Sequence, residues 1–189
     1  GKTIVLWLGR IDKLKCPMEF LEGFQTAVNM RPGQLHALVI GDGDLSETVR
    51  KSAEENGLAD DITFVGSVDH HTALTAYALA DIYVSLNSQG NLSNSNLEAF
   101  KSGCCSIVPA SDPETGRDSA TDQLFPEPTL LRIELPVTAS GISQAILYLH
   151  DNPDVRNERA RITRTIAETV ITGWQPRIDL EISKLESLL

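Results

Sequence analysis

No apolar run in this 189-residue sequence approaches the roughly 20 residues that a membrane-spanning helix needs, so the chain does not read as a bilayer protein. Cysteine is scarce. Cys16, Cys104 and Cys105 are odd in number and lack the paired spacing of a zinc site, which excludes a disulfide framework or structural metal and leaves three packing thiols. Cys104 and Cys105 are adjacent in a strand-like run, so their side chains point to opposite faces and would bridge only under strain. Cations are outnumbered: 16 Lys and Arg face 26 Asp and Glu, for a net charge of -10. Clustered basic residues are what a phosphate backbone rewards, so the charge argues against a nucleic-acid partner. Any phosphate ligand must be met by a few cations acting locally. Low-complexity tracts and fixed-period repeats are also missing. No secretory signal precedes the first strand, and unpaired thiols suit a cytoplasmic setting. The abrupt opening Gly1-Lys2 reads as a fragment cut at a domain boundary.

What is present is an alternation. Through the first 110 residues short apolar runs are followed by helical patterns, the signature of βαβ units around a doubly wound parallel sheet in the α/β class. Strands are predicted at 3–8, 36–41, 62–65, 81–86 and 104–109, with a sixth near 130–134. Helices are predicted at 17–30, 45–56, 70–80, 95–102, 138–150 and 154–172. Local chemistry agrees with the period: Pro17 suits a first helical position, Gly57 a helix end, and Asp69 and Ser95 amino-terminal caps. Residues 110–128 lack periodicity and read as a long loop over the sheet edge. Gly173-Trp174 breaks the pattern, dividing a domain at 1–173 from a helical tail at 174–189 with Ile178, Ile182, Leu185 and Leu189 on one stripe.

Arg10 and Lys15 stand just beyond the apolar run Ile4 to Leu8, in the loop at the carboxyl end of the first strand, which is where open α/β sheets bind ligands. Two cations there suit a phosphate-bearing ligand. Glu98 lies in a second strand-to-helix junction, where the segment Gly90 to Glu98 is polar and rich in Asn and Ser. Cations at one place and a polar-rimmed carboxylate at the other suit the two ends of a nucleotide-sugar.

The ordered set Gly9-Arg10, Lys15, Gly41-Asp42-Gly43, Phe64-Val65-Gly66, Ala80 to Ser85, and Asn96-Leu97-Glu98-Ala99-Phe100 with Gly103 resembles the carboxyl-terminal half of family-4 (group 1) glycosyltransferases. The resemblance covers nearly the whole chain, and five weak motifs in order and at the right spacing make a strong one. It implies a GT-B architecture of two facing Rossmann-like domains, of which this chain is the donor-binding second, with 174–189 packing back on a missing amino-terminal acceptor domain. Gly173-Trp174-Gln175 resembles the family's late Trp segment.

By resemblance, Arg10 and Lys15 grip the donor diphosphate and stabilise charge as the sugar leaves, and Glu98 accepts from both ribose hydroxyls; these are the catalytic candidates. A carboxylate suits a vicinal diol because it accepts two hydrogen bonds at once. The family's first acid would fall at position 90, which is Gly90; Gln89 is its neighbour, but an amide lacks the charge. Gly9, Gly41, Gly66, Gly90, Ser93, Asn94 and Ser95 are donor-binding candidates, the last three because the amides opening a helix can bind phosphate. Val65-Gly66-Ser67-Val68 resembles the segment that meets the nucleobase. Gly41-Asp42-Gly43 lacks the third glycine of a dinucleotide fingerprint and reads as a tight turn; its Asp-x-Asp spelling matches a metal motif of another glycosyltransferase fold, but the context is this family's turn, and no metal is assigned.

His36, His70, His71 and His150 have no partner at ligand spacing and read as structural. Trp7 and Phe64 are core or pocket-lining. The reading that follows is a nucleotide-diphosphate-sugar-binding half, UDP or GDP type, of a retaining glycosyltransferase that moves a hexosyl group to a sugar, lipid or other acceptor without a cofactor, the fragment alone being inactive and any membrane contact falling to the missing domain. Two rivals stand beside it: a non-catalytic nucleotide-sugar-binding module that has lost the acid at position 90, and a flavodoxin-like regulatory domain.

Overall fold

The computed structural model describes residues 1–87, 90–171 and 182–183. Thr3–Leu8 forms β1, the centre of the sheet, because Val5, Leu6 and Trp7 alternate between two apolar layers and are all buried. Such burial contributes about 1.5–3 kcal/mol for each Val or Leu side chain. Around β1 the chain builds α1 (Pro17–Met30), β2 (Leu35–Ile40), α2 (Ser46–Glu55), β3 (Ile62–Gly66), α3 (His70–Leu79), β4 (Ile82–Val84), α4 (Asn94–Ser102), β5 (Cys105–Pro109), α5 (Ser119–Leu124), β6 (Leu131–Ile133), α6 (Ala139–Asp151) and α7 (Pro153–Val170). A single 3-10 turn, Lys13–Lys15, precedes α1.

The strands form one parallel sheet in the order β3-β2-β1-β4-β5-β6. That order is the dinucleotide-binding type of doubly wound sheet; a flavodoxin-like sheet runs 2-1-3-4-5, so the regulatory-domain rival fails on topology. One face carries α1, α2 and α6 over Val5, Trp7 and Ile107, and the other carries α3 and α4 over Leu6, Tyr83 and Val108. Cys105 belongs to the first layer and Cys104 to the second, on opposite faces of the sheet. The helices α1 and α6 approach closely where Gly23 meets Ile142; a Cβ on Gly23 would lie 2.7 Å from the Ile142 Cβ. Trp7 is core, whereas Phe64 is half-buried beneath the Arg50 guanidinium, 4.9 Å from its ring centre.

Several expectations change in detail. The fourth strand keeps only Ile82–Val84 of 81–86, since beyond Val84 the backbone leaves the ladder; Ser85 still donates to Ile107 at 3.0 Å. Ser95 is not a helix cap. Ser93 is, with extended backbone and its hydroxyl accepting from the Asn96 amide at 3.3 Å. The stretch 110–128 is not a loop throughout: Asp112 bridges to Arg117 and α5 follows. All but residues 182–183 of the expected tail helix at 174–189 lie outside the described residues, as does Gln89. Among the described residues no helix is long and apolar enough to cross a membrane.

Two of the four histidines find hydrogen-bond partners across the fold. His150, in the last turn of α6, lies 2.8 Å from the Thr3 hydroxyl and 3.2 Å from the Gln34 side-chain oxygen, and His36 lies 2.9 Å from the Thr63 hydroxyl. His70 alone among them touches a residue already nominated for function.

Candidate functional site

Strand order reverses between β1 and β4, and the loops that leave their carboxyl ends diverge to opposite faces, opening a crevice at that edge. Every residue nominated from the sequence lies along this edge. Gly9, Arg10 and Lys15 are in the loop after β1, Gly41 follows β2, Gly66 ends β3, Gly90 and Ser93 follow β4, and Asn94, Ser95 and Glu98 occupy the first turns of α4.

The loop after β1 is held from below. Ile11 is buried and its amide donates to the Asp42 carbonyl at 3.0 Å, while its own carbonyl accepts from Leu45 at 3.1 Å. Gly9 donates to the Ile40 carbonyl at 3.0 Å and Gly41 to that of Gly66 at 2.8 Å, so the ends of β1, β2 and β3 are stitched together by main chain alone. Asp12 caps the turn Lys13–Lys15 by accepting from the Leu14 amide, and Cys16, with φ 48°, turns the chain into α1 at Pro17. Arg10 is left exposed and Lys15 half-buried. Burial lowers the pKa of the Lys15 ammonium, and the Asp12 carboxylate opposes that shift. A partly dehydrated cation next to a solvated one attracts phosphate more strongly than two fully hydrated ones would.

The Asp-x-Asp spelling serves the turn. Asp42 accepts from the Gly43 amide at 2.8 Å and from the Ser46 hydroxyl at 2.6 Å, and these bonds, the hydroxyl's first, hold its carboxyl below the usual range.

On the opposite lip, α4 is anchored by a fully buried side chain. Asn96 accepts from the Tyr83 hydroxyl at 3.0 Å and donates to the Asn91 carbonyl at 3.0 Å, tying the helix start to β4 and to the loop before it. The amides at the amino-terminal end of α4 point along the helix axis toward the crevice, with the partial positive charge of the helix end behind them. Glu98, one turn on, keeps 33% of its side chain exposed.

The sequence did not reveal two neighbours of this set. His70, the first residue of α3, brings Nδ1 to 3.7 Å from Glu98 Oε1. Asp118, inside the stretch read as a loop, accepts from both the main-chain and side-chain nitrogens of Asn91 and from the Thr121 hydroxyl at 2.6 Å. Asn91 is buried and also donates to the Pro109 carbonyl at 2.9 Å, so it is a strut of the loop. Both new contacts are long-range, between residues 28 and 27 apart; no local pattern signals them, although a helix-start His and an Asp in an unpatterned stretch were visible.

Gly90 has φ 122°, a conformation few other residues adopt, and a Cβ there would stand 3.5 Å from Asp118 Oδ1. The absence of an acid at this position is therefore built into the backbone, and a carboxylate from another loop faces the place where that side chain would begin. A cavity of about 800 Å³ opens beside it, over the ends of β4, β5 and β6, walled by Cys16, Leu86, Gly90, Asn91, Asp118 and Val137 among others. Arg10, Lys15 and Glu98 lie outside that cavity, along the open crevice. Among the described residues no three His, Cys, Asp or Glu side chains gather as a metal site.

Residues 2–152 match the family described as Glycosyl transferases group 1. Over 105 residues the chain is 31% identical to 2-deoxystreptamine N-acetyl-D-glucosaminyltransferase of Streptomyces fradiae, a match that takes in 54% of this chain and 25% of that enzyme. The fold resembles the C-terminal domain of the group 1 family protein LpcC from Francisella tularensis, with a TM-score of 0.74 and 22% identity over 91% of this chain and 87% of that one. It also resembles Anabaena HepE, solved with UDP and glucose, with a TM-score of 0.80 and 15% identity over 100% of this chain and 49% of that one. The chain thus spans about a quarter of the curated relative's length and about half of HepE.

Proposed function

The chain belongs to the group 1 glycosyl transferases, and from that premise we propose that it is the donor half of a retaining hexosyltransferase, binding a UDP- or GDP-sugar along the crevice between β1 and β4. The observation that carries this reading is the pairing of lips at the reversal of strand order: Arg10 and Lys15 on one side, the amino-terminal end of α4 with Glu98 on the other. The cations and the amides of Asn94 and Ser95 address the diphosphate, and the Glu98 carboxylate accepts from the ribose hydroxyls. Gly66 lies at the end of β3, where the base approaches main-chain groups. As the bond from sugar to phosphate breaks, negative charge grows on the leaving diphosphate, and donors already fixed in place stabilise it without reorganising. Such chemistry requires neither a redox cofactor nor a metal.

The acceptor, whether sugar, lipid or another hydroxyl compound, is then met by an amino-terminal domain of a longer chain, in line with the share of HepE that this chain covers. A second reading, a nucleotide-sugar-binding module without turnover, draws on one observation, the glycine at position 90 where an acid would otherwise touch the sugar.

Calorimetric titration with UDP, GDP and ADP, with their glucose and mannose conjugates, and with the matching nucleosides tests the proposal. A diphosphate is expected to bind at micromolar strength and its nucleoside far more weakly. Glu98→Gln should weaken nucleotide binding by about 1.5–3 kcal/mol, the range for a hydrogen bond to a charged group, and erase the preference for ribose over 2′-deoxyribose. Silence from every nucleotide would overturn the reading, and transfer by the isolated chain would overturn the half-enzyme part of it.

A further inference from the structure

Helix α3 contributes no residue to the site as read from the sequence, yet it lies alongside α4 and begins at the same edge. Asp69 fixes that beginning by accepting from the Thr72 amide at 2.7 Å, which places His70 at the first helical position. Residues 70 and 77 fall on one stripe of α3, seven apart, and residues 95 and 98 on one stripe of α4, three apart. The two stripes meet. His70 Nδ1 stands 3.7 Å from Glu98 Oε1, and Tyr77, on the same stripe of α3, is fully buried. Burial raises the Tyr77 phenol above its ordinary pKa; nearby Ser95 opposes that shift and the Glu98 charge adds to it. Glu98 is therefore bordered by an imidazole at the rim.

We propose that His70 is the positioning residue for Glu98, holding its carboxylate in the orientation that receives the two ribose hydroxyls; this rests on the reading of Glu98 as the ribose-binding acid. A glutamate on an exposed helix face samples several rotamers, and immobilising it on binding costs conformational entropy. A neighbour that restricts it beforehand reduces that cost. At 3.7 Å the contact is longer than a formed hydrogen bond, so the imidazole stands against the carboxylate while leaving the acceptor sites of both its oxygens available to a diol. The imidazole is 70% exposed, and an exposed pair of this kind adds little to folding. Its effect belongs to binding.

The test measures dissociation constants for UDP against 2′-deoxy-UDP, and GDP against 2′-deoxy-GDP, in the wild type, His70→Ala, His70→Lys and Glu98→Gln, with thermal midpoints alongside. The ratio cancels contributions from phosphate and base. His70→Ala is expected to reduce the ribose preference roughly 1.4- to fivefold, the span of an exposed pair, with an unchanged midpoint. His70→Lys places a cation beside Glu98 and is expected to restore the preference, which a purely structural role would not predict. Loss of the preference in Glu98→Gln with full retention in His70→Ala overturns the positioning role and leaves Glu98 in place. Retention in Glu98→Gln, or no nucleotide binding at all, overturns the ribose reading of Glu98 and this role together.

Discussion

Gly41 passes so close to Gly9 that a Cβ on Gly41 would sit 1.9 Å from the Gly9 carbonyl oxygen. The contact is where β1 and β2 release the chain into the site, and Gly41 has φ 133° there, so it is glycine for both space and backbone conformation. Gly41→Ala must push the two loops apart, stretching the bonds from Gly9 to Ile40 and from Gly41 to Gly66. A loss of about 1–3 kcal/mol in urea unfolding is expected from the backbone strain alone. Nucleotide affinity should fall as well, since Arg10 is attached to Gly9. An unchanged unfolding midpoint would refute the close approach.

Acid should destabilise the protein through its turns and caps. Asp69 is held below its ordinary range chiefly by the Thr72 amide and hydroxyl, Asp42 by the Ser46 hydroxyl and the Gly43 amide, and Asp112 by the Thr115 hydroxyl. A carboxyl depressed in the folded state contributes stability that is fully present above its unfolded value and is lost as pH falls through its folded one. The thermal midpoint is therefore expected to hold near neutrality and to fall between about pH 5 and about pH 2. Asp69→Asn keeps a good cap but removes one titration, so its midpoint should decline less steeply over that window. Identical slopes in the two proteins would show that Asp69 carries no such linkage.

The extent of the fold legible beforehand follows from what each element depends on. Parallel strands buried on both faces are continuous apolar runs, so Thr3–Leu8 and Leu35–Ile40 appear within a residue of expectation. Pro17 marks the start of α1 by its fixed φ and missing amide. Helix α5 is only six residues long, too short for an apolar stripe, and the lock that places its start is Asp118 reaching Asn91 across 27 positions. The nominated residues do share one edge, because strand-to-helix loops of a parallel sheet all emerge there. Gly90 was visible as an absence; that Asp118 faces it was not, because nothing local links residues in separate loops.

Thiol reactivity offers an independent check on the two core layers. Burial pushes the Cys105 thiol up to about 12, although Arg159 and Arg156 pull it the other way, and burial also raises Cys104. Cys16 is half-buried at the start of α1; burial and then Glu19 raise it too. Alkylation of the native protein, read by peptide mass, is expected to label Cys16 first and slowly. Cys104 and Cys105 should be labelled only at the rate of unfolding, because the thiolate is the nucleophile and neither forms nor is reached in the folded state. Labelling of all three at one rate would contradict the layered packing.

The sharpest test of the crevice is whether Arg10 and Lys15 act on one ligand. Both leave the loop after β1, separated by the buried Ile11 and the turn Lys13–Lys15, and they differ in hydration, since Arg10 is exposed and Lys15 half-buried. If each addresses oxygens of the same diphosphate, Arg10→Ala and Lys15→Ala should weaken UDP or GDP binding while barely changing that of uridine or guanosine. Removing one cation lets the ligand and the remaining side chain readjust, so the double variant should depart from the sum of the singles by about 0.5–3 kcal/mol. Lys15→Ala should be the costlier single change, because a partly dehydrated charge interacts through a lower effective dielectric. Additive losses, or equal losses for nucleoside and diphosphate, would show that the phosphates lie elsewhere on the edge.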